Sequence, residues 1–232
     1  MKPQHIIQSR VVTKFDPSKI TFHSFSDRLR PRTISELILP ETAKRKLLRM
    51  HQSKLIQNML FVGVAGVGKS TCADLLVADS NLFVRRFNAA LDRSVSDVTE
   101  IESFALSPTL TQENKVAILE EVDNMTKAAQ KALLTIIENA TVSFQQHYST
   151  KFILVANDAH KLIEPIKSRC LPISFNPYSV NLDEAKSTLL KTIECRFDEI
   201  EAPFCRESVQ RIVDSSYPDF RMIANRIEFE LL

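Results

Sequence analysis

The sequence predicts an α/β fold, in which helices cover both faces of a parallel sheet, followed by a small all-helical domain. Two observations predict it. Short apolar runs alternate with amphipathic stretches through residues 24–176, the spacing expected of a parallel sheet. From residue 177 onward, apolar residues recur only at helical spacing. We therefore expect an α/β domain over 24–176 and a helical domain over 177–232, preceded by an arm over 1–23 without predicted regular structure.

Five apolar runs predict the strands of the sheet. Each is short and is followed by polar residues, glycine or proline, as expected of buried strands. The runs span residues 58–62, 82–87, 116–119, 151–156 and 171–175.

Helical periodicity accounts for most of the remaining chain. In the α/β part it covers 69–77, 97–106 and 127–140. In the C-terminal part, Asn181 stands where a helix N-cap is expected, before apolar residues spaced for a helix up to residue 197. Further helices are predicted over 208–213 and 219–232.

Composition excludes several classes of protein. Hydrophobic residues make up 44% and charged residues 25% of the 232 residues, which excludes a disordered or collagen-like chain. No apolar run is long enough to span a membrane, and no secretion signal is evident. The four cysteines form no CxxC pair, which favours free thiols in a reducing compartment. The net charge of +2 gives no general indication of nucleic-acid binding.

The glycines point to one functional loop. At average usage of about 7% the chain would contain about sixteen glycines, but it has three, all in residues 63–68. They form the pattern GxxxxGK[ST] between a predicted strand and a predicted helix, which favours phosphate binding by backbone N–H groups over a simple turn. The predicted nucleotide-binding residues of the loop are Gly63, Val64, Ala65, Gly66, Val67, Gly68, Lys69, Ser70 and Thr71.

Polar residues follow two other predicted strands. Glu120 and Glu121 come directly after the run at 116–119, where the first acid would hold Mg²⁺ together with Ser70 and the second would orient the attacking water. Aspartate is usual at the first position, and the longer Glu120 alters the metal geometry. Asn157 follows the next strand, where its amide could bond the γ-phosphate or the water, although such a residue is also common in turns.

Five further stretches, in order along the chain, carry a family resemblance. They are RPRTISE at 30–36, FNAALDR at 87–93, ILEEVDNMTKAAQ at 118–130, LIEPIKSRC at 162–170 and PDFR at 218–221. They resemble the motifs of AAA+ clamp-loader small subunits, the replication factor C type. The SRC triplet is the most specific of them, and the ILP ending at residue 40 resembles the T4-like phage version.

The resemblance implies a fold and a set of roles. It implies an AAA+ P-loop NTPase whose five-stranded sheet has the order 5-1-4-3-2, with a helical lid. Arg169 would be the arginine finger for a neighbouring subunit's ATP, although an arginine there can also be a surface charge near a helix end. Arg221 would be the sensor that links the lid to the nucleotide. Arg30 and Pro31 would line the adenine and ribose.

DNA contacts and assembly are also implied by the resemblance. Arg93, Ser96, Lys127 and Lys131 match the region that follows the DNA backbone, although Lys127 and Lys131 also fit a solvated helix face. The family has a C-terminal collar of about 100 residues. Because the chain stops at Leu232, we expect either assembly without a collar or a truncated product. A cytoplasmic location is expected, or a nuclear one in a eukaryote.

The sequence thus predicts an ATPase subunit, using ATP and Mg²⁺, of a hetero-oligomeric clamp loader that opens a sliding clamp on primer-template DNA. Three alternatives remain at this stage. They are an AAA+ ATPase of a defence or remodelling machine, a nucleotide-dependent scaffold that does not turn over because of Glu120, and a monomeric small-molecule kinase.

Overall fold

The computed structural model describes residues 24–78, 82–89, 98–107, 114–142 and 149–232. The predicted arm over 1–23 lies outside these residues. So does Asp97, the predicted first residue of one helix. No helix in the described part of the chain is long and apolar enough to cross a membrane.

A five-stranded parallel sheet forms the centre of the α/β part. Its order, β2-β3-β4-β1-β5, confirms the order predicted from the family resemblance. The strands are β1 (Met59–Val62), β2 (Phe83–Asn88), β3 (Lys115–Glu120), β4 (Thr150–Ala156) and β5 (Leu171–Ser174).

Helices pack on both faces of this sheet. The described α/β part contains six α-helices, and three more follow in the C-terminal part, which we call the lid (residues 177–232). The first six are α1 (Phe25–Leu29), α2 (Glu41–Ser53), α3 (Lys69–Val77), α4 (Val98–Leu106), α5 (Lys127–Val142) and α6 (Glu164–Arg169). The lid helices are α7 (Leu182–Glu199), α8 (Arg206–Ser216) and α9 (Phe220–Leu231).

The sheet is buried because successive residues of its strands enter two different cores. Leu60 of β1 belongs to the core beneath α4 and α5, whereas its neighbours Met59 and Phe61 belong to the core beneath α2 and α3. All three side chains are at most 2% exposed. Burial on both faces explains why the runs of β1, β3 and β4 are continuously apolar rather than alternating, whereas β2, at one edge of the sheet, is largely exposed.

The main differences from the sequence prediction are additional or longer helices. The predicted helix at 208–213 extends over 206–216. Helices α1, α2 and α6 were not predicted. Helix α2 nevertheless has an apolar stripe, since Leu47 is buried and Ala43, Leu48 and Met50 pack against the same core, so the sequence contained a helical signal that was not used. The predicted N-cap is confirmed, because the Asn181 side chain accepts hydrogen bonds from the N–H groups of Asp183 and Glu184.

The lid has its own core, and α1 packs into it. Phe25 of α1 meets Phe197 of α7 with ring centroids 5.2 Å apart in an edge-to-face arrangement. Leu29 lies in the same cluster as Ile193 and Ile227. The Phe25 N–H also donates to Glu228 Oε2 of α9 at 3.1 Å. The helix that opens the described chain is therefore fixed to the helices that close it.

Truncating Phe25 should reveal how much α1 contributes to stability. We expect Phe25→Ala to lower the free energy of unfolding by about 3–5 kcal/mol, because it leaves a cavity between α1 and α7. Phe229→Ala is the control, since that side chain is 92% exposed and its loss should change stability by about 0.5 kcal/mol or less. Urea unfolding measures both variants, and equal effects would contradict the packing described here.

Candidate functional site

The site lies at the carboxyl ends of three adjacent strands. In the sheet β4 lies between β1 and β3. The loop 63–68 follows β1, the two glutamates lie at the end of β3 and just after it, and Asn157 follows β4. Because the strands are parallel, their polar ends come together at one edge of the sheet, where ligands bind in open α/β folds.

Two glycines of the loop are required by close packing. A Cβ atom on Gly63 would lie 2.6 Å from the carbonyl oxygen of Phe175. Gly66 has φ +79°, and a Cβ atom there would lie 2.1 Å from Asp219 Oδ1 in the lid. Larger residues at either position would displace backbone or the lid.

Lys69 lies at the centre of the loop. Its ammonium group donates to the carbonyl oxygens of Gly63 and Val64, each at 2.7 Å, and to Asn157 Oδ1 at 2.8 Å. The side chain is buried, and this burial lowers the pKa of the amine, opposed by the charges of Asp123 and Glu120. The positive charge of Arg221 in the lid lowers the same pKa further. Lys69 thus lies where the loop after β1, the residue after β4 and the lid come together.

Glu120 is bound on both of its carboxylate oxygens. Oε2 accepts a hydrogen bond from the Ser70 hydroxyl at 2.8 Å. Oε1 forms an ion pair with Arg86 of β2, whose guanidinium also pairs with Asp74 of α3. A hydroxyl and a carboxylate this close are the hard oxygen donors that Mg²⁺ takes in phosphate sites, so the residues present fit the predicted metal ion.

Glu121 adopts a backbone conformation that is uncommon for residues other than glycine. Its φ and ψ of 56° and 39° lie in the left-handed region, where non-glycine residues often mark functional sites. Asn124 donates to its Oε2 at 2.8 Å. Beneath it, the buried Asp123 carboxylate accepts from the N–H groups of Asn157 and Asp158, both at 3.2 Å. The end of β3 is thereby joined to the end of β4.

One cavity lies between the carboxyl ends of the strands, α1 and the lid. Most of the predicted nucleotide-binding residues line it, but Gly63, Val64 and Val67 do not: Gly63 packs against Phe175, the side chain of Val64 is exposed, and Val67 belongs to the core. Ser26, Leu29 and Phe220 line it without having been predicted. The predicted residues in the lining are Arg30, Pro31, Ala65, Gly66, Gly68, Lys69, Ser70, Thr71, Glu120, Glu121, Asn157 and Arg221.

The lid contacts the loop 63–68 directly. The N–H of Phe220 donates to the carbonyl oxygen of Gly66 at 3.1 Å. Asp219 lies against Gly66 and also caps α9 by accepting from the N–H of Met222 at 2.9 Å. This contact brings Arg221, the next residue but one, to the mouth of the cavity.

An ionic cluster attaches the segment that carries Arg30 and Pro31 to the lid. Arg196 of α7 is buried and donates to Glu36 Oε2 at 3.0 Å, to Glu199 Oε1 at 2.8 Å and to the carbonyl oxygen of Arg28 at 2.9 Å. Arg32 forms two further hydrogen bonds to Glu199, at 2.9 and 2.7 Å. The hydrogen bond from Arg32, more than any other contact, lowers the pKa of Glu199.

Arg169 lies at the C-terminal end of α6 and, among the described residues, is not part of the cavity lining. Its guanidinium pairs with Glu138 of α5 and donates to the carbonyl oxygen of Pro165 at 3.1 Å. The structure thus places Arg169 at a helix end, in an ion pair on the surface, and outside the described cavity lining of its own chain.

The predicted DNA-binding residues are only partly described. Arg93 and Ser96 lie outside the described residues. Lys127 and Lys131 both lie on α5, where Lys127 donates to the carbonyl oxygen of Lys161 and Lys131 is exposed.

Sequence reasoning missed four residues that organise the site: Arg86, Asp123, Asn124 and Asp219. Asp123 and Asn124 lie within the stretch that carries the family resemblance, so the motif contained a signal that was not used. Asp219 has the typical position of an N-cap residue. Arg86 carried no local signal, because an arginine in an edge strand resembles any exposed charge.

Comparison with known proteins bears on the fold and the family. The family model described as DNA polymerase III, delta subunit, matches residues 88–179. The replication factor C small subunit of Staphylothermus marinus is 28% identical over 211 residues, covering 88% of this chain and 60% of its own. The replication factor C small subunit of Methanosphaera stadtmanae is 37% identical over 158 residues. This match covers 65% of this chain and 47% of that protein.

This chain is similar in sequence to the replication factor C small subunits, whose motifs it resembles. It spans about half to three-fifths of the length of these relatives. The structure of the RuvB Holliday junction branch migration motor of Thermotoga maritima superposes with a TM-score of 0.66 at 19% identity, covering 87% of this chain and 64% of that one. The chain therefore shares the fold of that protein, with the five-stranded parallel sheet and the helical C-terminal part that the sequence predicted.

The ionic cluster should make stability depend on pH in the acidic range. The pKa of Glu199 is lowered by folding, so its stabilising contribution is present above the ordinary pKa of 4.5 and is lost as pH falls through the lower folded value. Because Arg32 and Glu199 are partly exposed, we expect Glu199→Gln to cost about 1 kcal/mol or less at pH 7. Urea unfolding at pH 7 and pH 3 measures it, and an equal cost at both would contradict the assignment.

Proposed function

We propose that this protein is the ATP-hydrolysing subunit of a clamp loader, which opens a sliding clamp and loads it on primer-template DNA. The observation that carries the proposal is the convergence of Lys69, the Ser70–Glu120 pair, Glu121 and Asn157 on one cavity. Its wider context comes from the relationship to replication factor C small subunits.

In this proposal the phosphate loop and Lys69 bind the nucleotide. The N–H groups at the start of α3 face the phosphates, and the helix dipole adds positive potential there. Lys69 exchanges the carbonyl oxygens of Gly63 and Val64 for β- and γ-phosphate oxygens. Arg30 and Pro31 bind the base and ribose side. Bound Mg²⁺ supplies charge neutralisation of the phosphates, and Ser70 and Glu120 hold it.

Hydrolysis depends on the two polar groups beyond the phosphates. Glu121 orients the attacking water, and Asn124 fixes the direction of its carboxylate. The amide of Asn157 contacts the γ-phosphate, a role supported by the hydrogen bond that its Oδ1 accepts from Lys69 at 2.8 Å. Arg221 reports the presence of nucleotide to the lid, because it occupies the cavity mouth beside the contact between Phe220 and Gly66.

Arg169 completes the site of a neighbouring subunit in the assembled loader. A guanidinium at the γ-phosphate stabilises the charge of the transition state. Since Arg169 lies outside the cavity of its own chain, turnover requires assembly with further loader subunits. In the assembly, Lys127 and Lys131, with Arg93 and Ser96, contact the DNA backbone.

The water-orienting role of Glu121 can be separated from binding. We expect Glu121→Gln to lower ATP turnover by about 10²–10⁴-fold, because an amide cannot accept the proton of the water, while nucleotide affinity changes little. Steady-state hydrolysis and equilibrium binding of a fluorescent ATP analogue measure the two effects. Asn124→Ala serves as a milder comparison. Unchanged turnover in Glu121→Gln would remove this residue from the mechanism.

Action between subunits can be tested by mixing two defective variants. Arg169→Ala should keep ATP binding but lose turnover by about 10³-fold or more in the assembled complex, whereas Lys69→Ala should lose binding. In a complex that contains several copies of this chain, mixing the two variants should restore part of the activity, because one supplies the intact cavity and the other the intact arginine.

The replication role has a separate readout. We expect primed DNA and the cognate clamp together to stimulate hydrolysis by the assembled complex. Absence of stimulation with normal basal turnover would favour an AAA+ machine outside replication. Absence of any turnover with normal ATP binding would favour the nucleotide-dependent scaffold.

A further inference from the structure

Arg86 connects three elements around the candidate metal site. It lies on β2, at the edge of the sheet, and its guanidinium forms ion pairs with Glu120 at the end of β3 and with Asp74 of α3. Asp74 is four residues after Ser70, so both lie on the same face of α3. One arginine therefore ties the acid at the end of β3 to the helix that begins in the phosphate loop.

The two oxygens of Glu120 have different partners. Oε1 is taken by Arg86, whereas Oε2 accepts from the Ser70 hydroxyl at 2.8 Å. The Glu120 side chain is 17% exposed, against 38% for Arg86 and 56% for Asp74. The contact with Glu120 is therefore the more protected of the two, and the oxygen left facing Ser70 has a fixed direction.

A glutamate at this position needs such a support. Compared with aspartate it has one more rotatable bond, and a longer side chain loses more conformational freedom when it is held in one geometry. A guanidinium that bonds two carboxylates at once is more rigid than an isolated surface ion pair. Together Arg86, Asp74 and Glu120 carry one net negative charge, the same as a single carboxylate, so the site still attracts a divalent cation.

We propose that Arg86 is a positioning residue for the metal site: it anchors Oε1 of Glu120 so that Oε2 faces Ser70 and the bound magnesium ion. The inference rests on the proposed nucleotide site. Arg86 therefore affects how Mg²⁺ binds beside the nucleotide. It has no role in binding the nucleotide itself, because Arg86 is not among the described residues that line the cavity.

The test compares nucleotide affinity with Mg²⁺ and with EDTA, using a fluorescent ATP analogue and the full chain. Mg²⁺ should strengthen nucleotide affinity by some factor in the unmodified chain. We expect Arg86→Ala to reduce that factor about tenfold, the usual size of an effect on a ligand-orienting group. The nucleotide affinity measured in EDTA should not change. Arg86→Lys should rescue part of the effect, since an ammonium can approach Glu120 without holding both acids.

Arg85→Ala is the matched control. Arg85 is the neighbouring residue on β2 and also forms a surface ion pair, but with Glu100 of α4. Arg85→Ala should change the nucleotide affinity neither with Mg²⁺ nor with EDTA. Equal effects of the two variants would overturn the proposal, as would tighter magnesium-nucleotide binding by Arg86→Ala, which would show that Arg86 competes with the ion.

Glu120→Asp gives a second, independent arm. Its shorter carboxylate withdraws from Arg86, so Arg86→Ala should have little further effect in the Glu120→Asp background. Equal effects in both backgrounds would overturn the proposal. Melting temperatures of all variants confirm that they are folded. If the unmodified chain binds no nucleotide in either buffer, the proposed function fails; if it responds to Mg²⁺ and Arg86→Ala responds equally, only this inference fails.

Discussion

The organisation of the site depends on one buried positive charge. Lys69 is 7% exposed, and a buried ammonium is costly unless oxygen atoms surround it. Two of its acceptors are backbone carbonyls of the loop after β1, and the third is the side chain of Asn157 after β4. The need to satisfy this charge thus fixes the curvature of the loop. It also fixes the orientation of the Asn157 side chain after the neighbouring strand. Phosphate oxygens are the natural replacement for the carbonyls.

A second constraint joins the cavity to the lid. The segment with Arg30 and Pro31 precedes the sheet in sequence, but α1 is packed in the lid core and the rest is held by Arg196. The lid also contacts Gly66 through Phe220. Both sides of the cavity mouth are therefore attached to the same three helices. A movement of these helices would move both sides of the cavity mouth together, which is the coupling that the proposed nucleotide-driven function requires.

Local pattern was sufficient for the strands with continuous apolar signals. The runs of β1, β3 and β4 were recognised because both of their faces are buried. The loop 63–68 was singled out because the chain has no other glycine, and its phosphate-binding role stays a prediction. The predicted order of the strands came from the family resemblance, because apolar runs alone do not indicate which strands are neighbours in the sheet. Helix α2 was missed although Ala43, Leu47 and Met50 recur along it at helical spacing and pack on one core. The predicted roles of the site residues stay predictions.

Contacts between distant parts of the chain were beyond local pattern. Arg196 and Glu36 are 160 residues apart and each resembles an ordinary surface charge. The same holds for Arg86 and Glu120, whose 34-residue separation becomes a contact only because β2 and β3 are paired. Charged residues carry no periodic signature, so their partners appear only when the topology is known.

The departure at Glu120 is best understood through this topology. In the register of β2 and β3, Asn88 pairs with Glu120 and Arg86 with Ile118. Arg86 and Asn88 are two apart, so they lie on the same face of β2 as Glu120 does on β3. An arginine at this diagonal position has the length to reach the longer carboxylate, while Asp74 holds its other nitrogen. The extra methylene of Glu120 and the arginine on the edge strand are therefore two parts of one arrangement, and neither is informative alone.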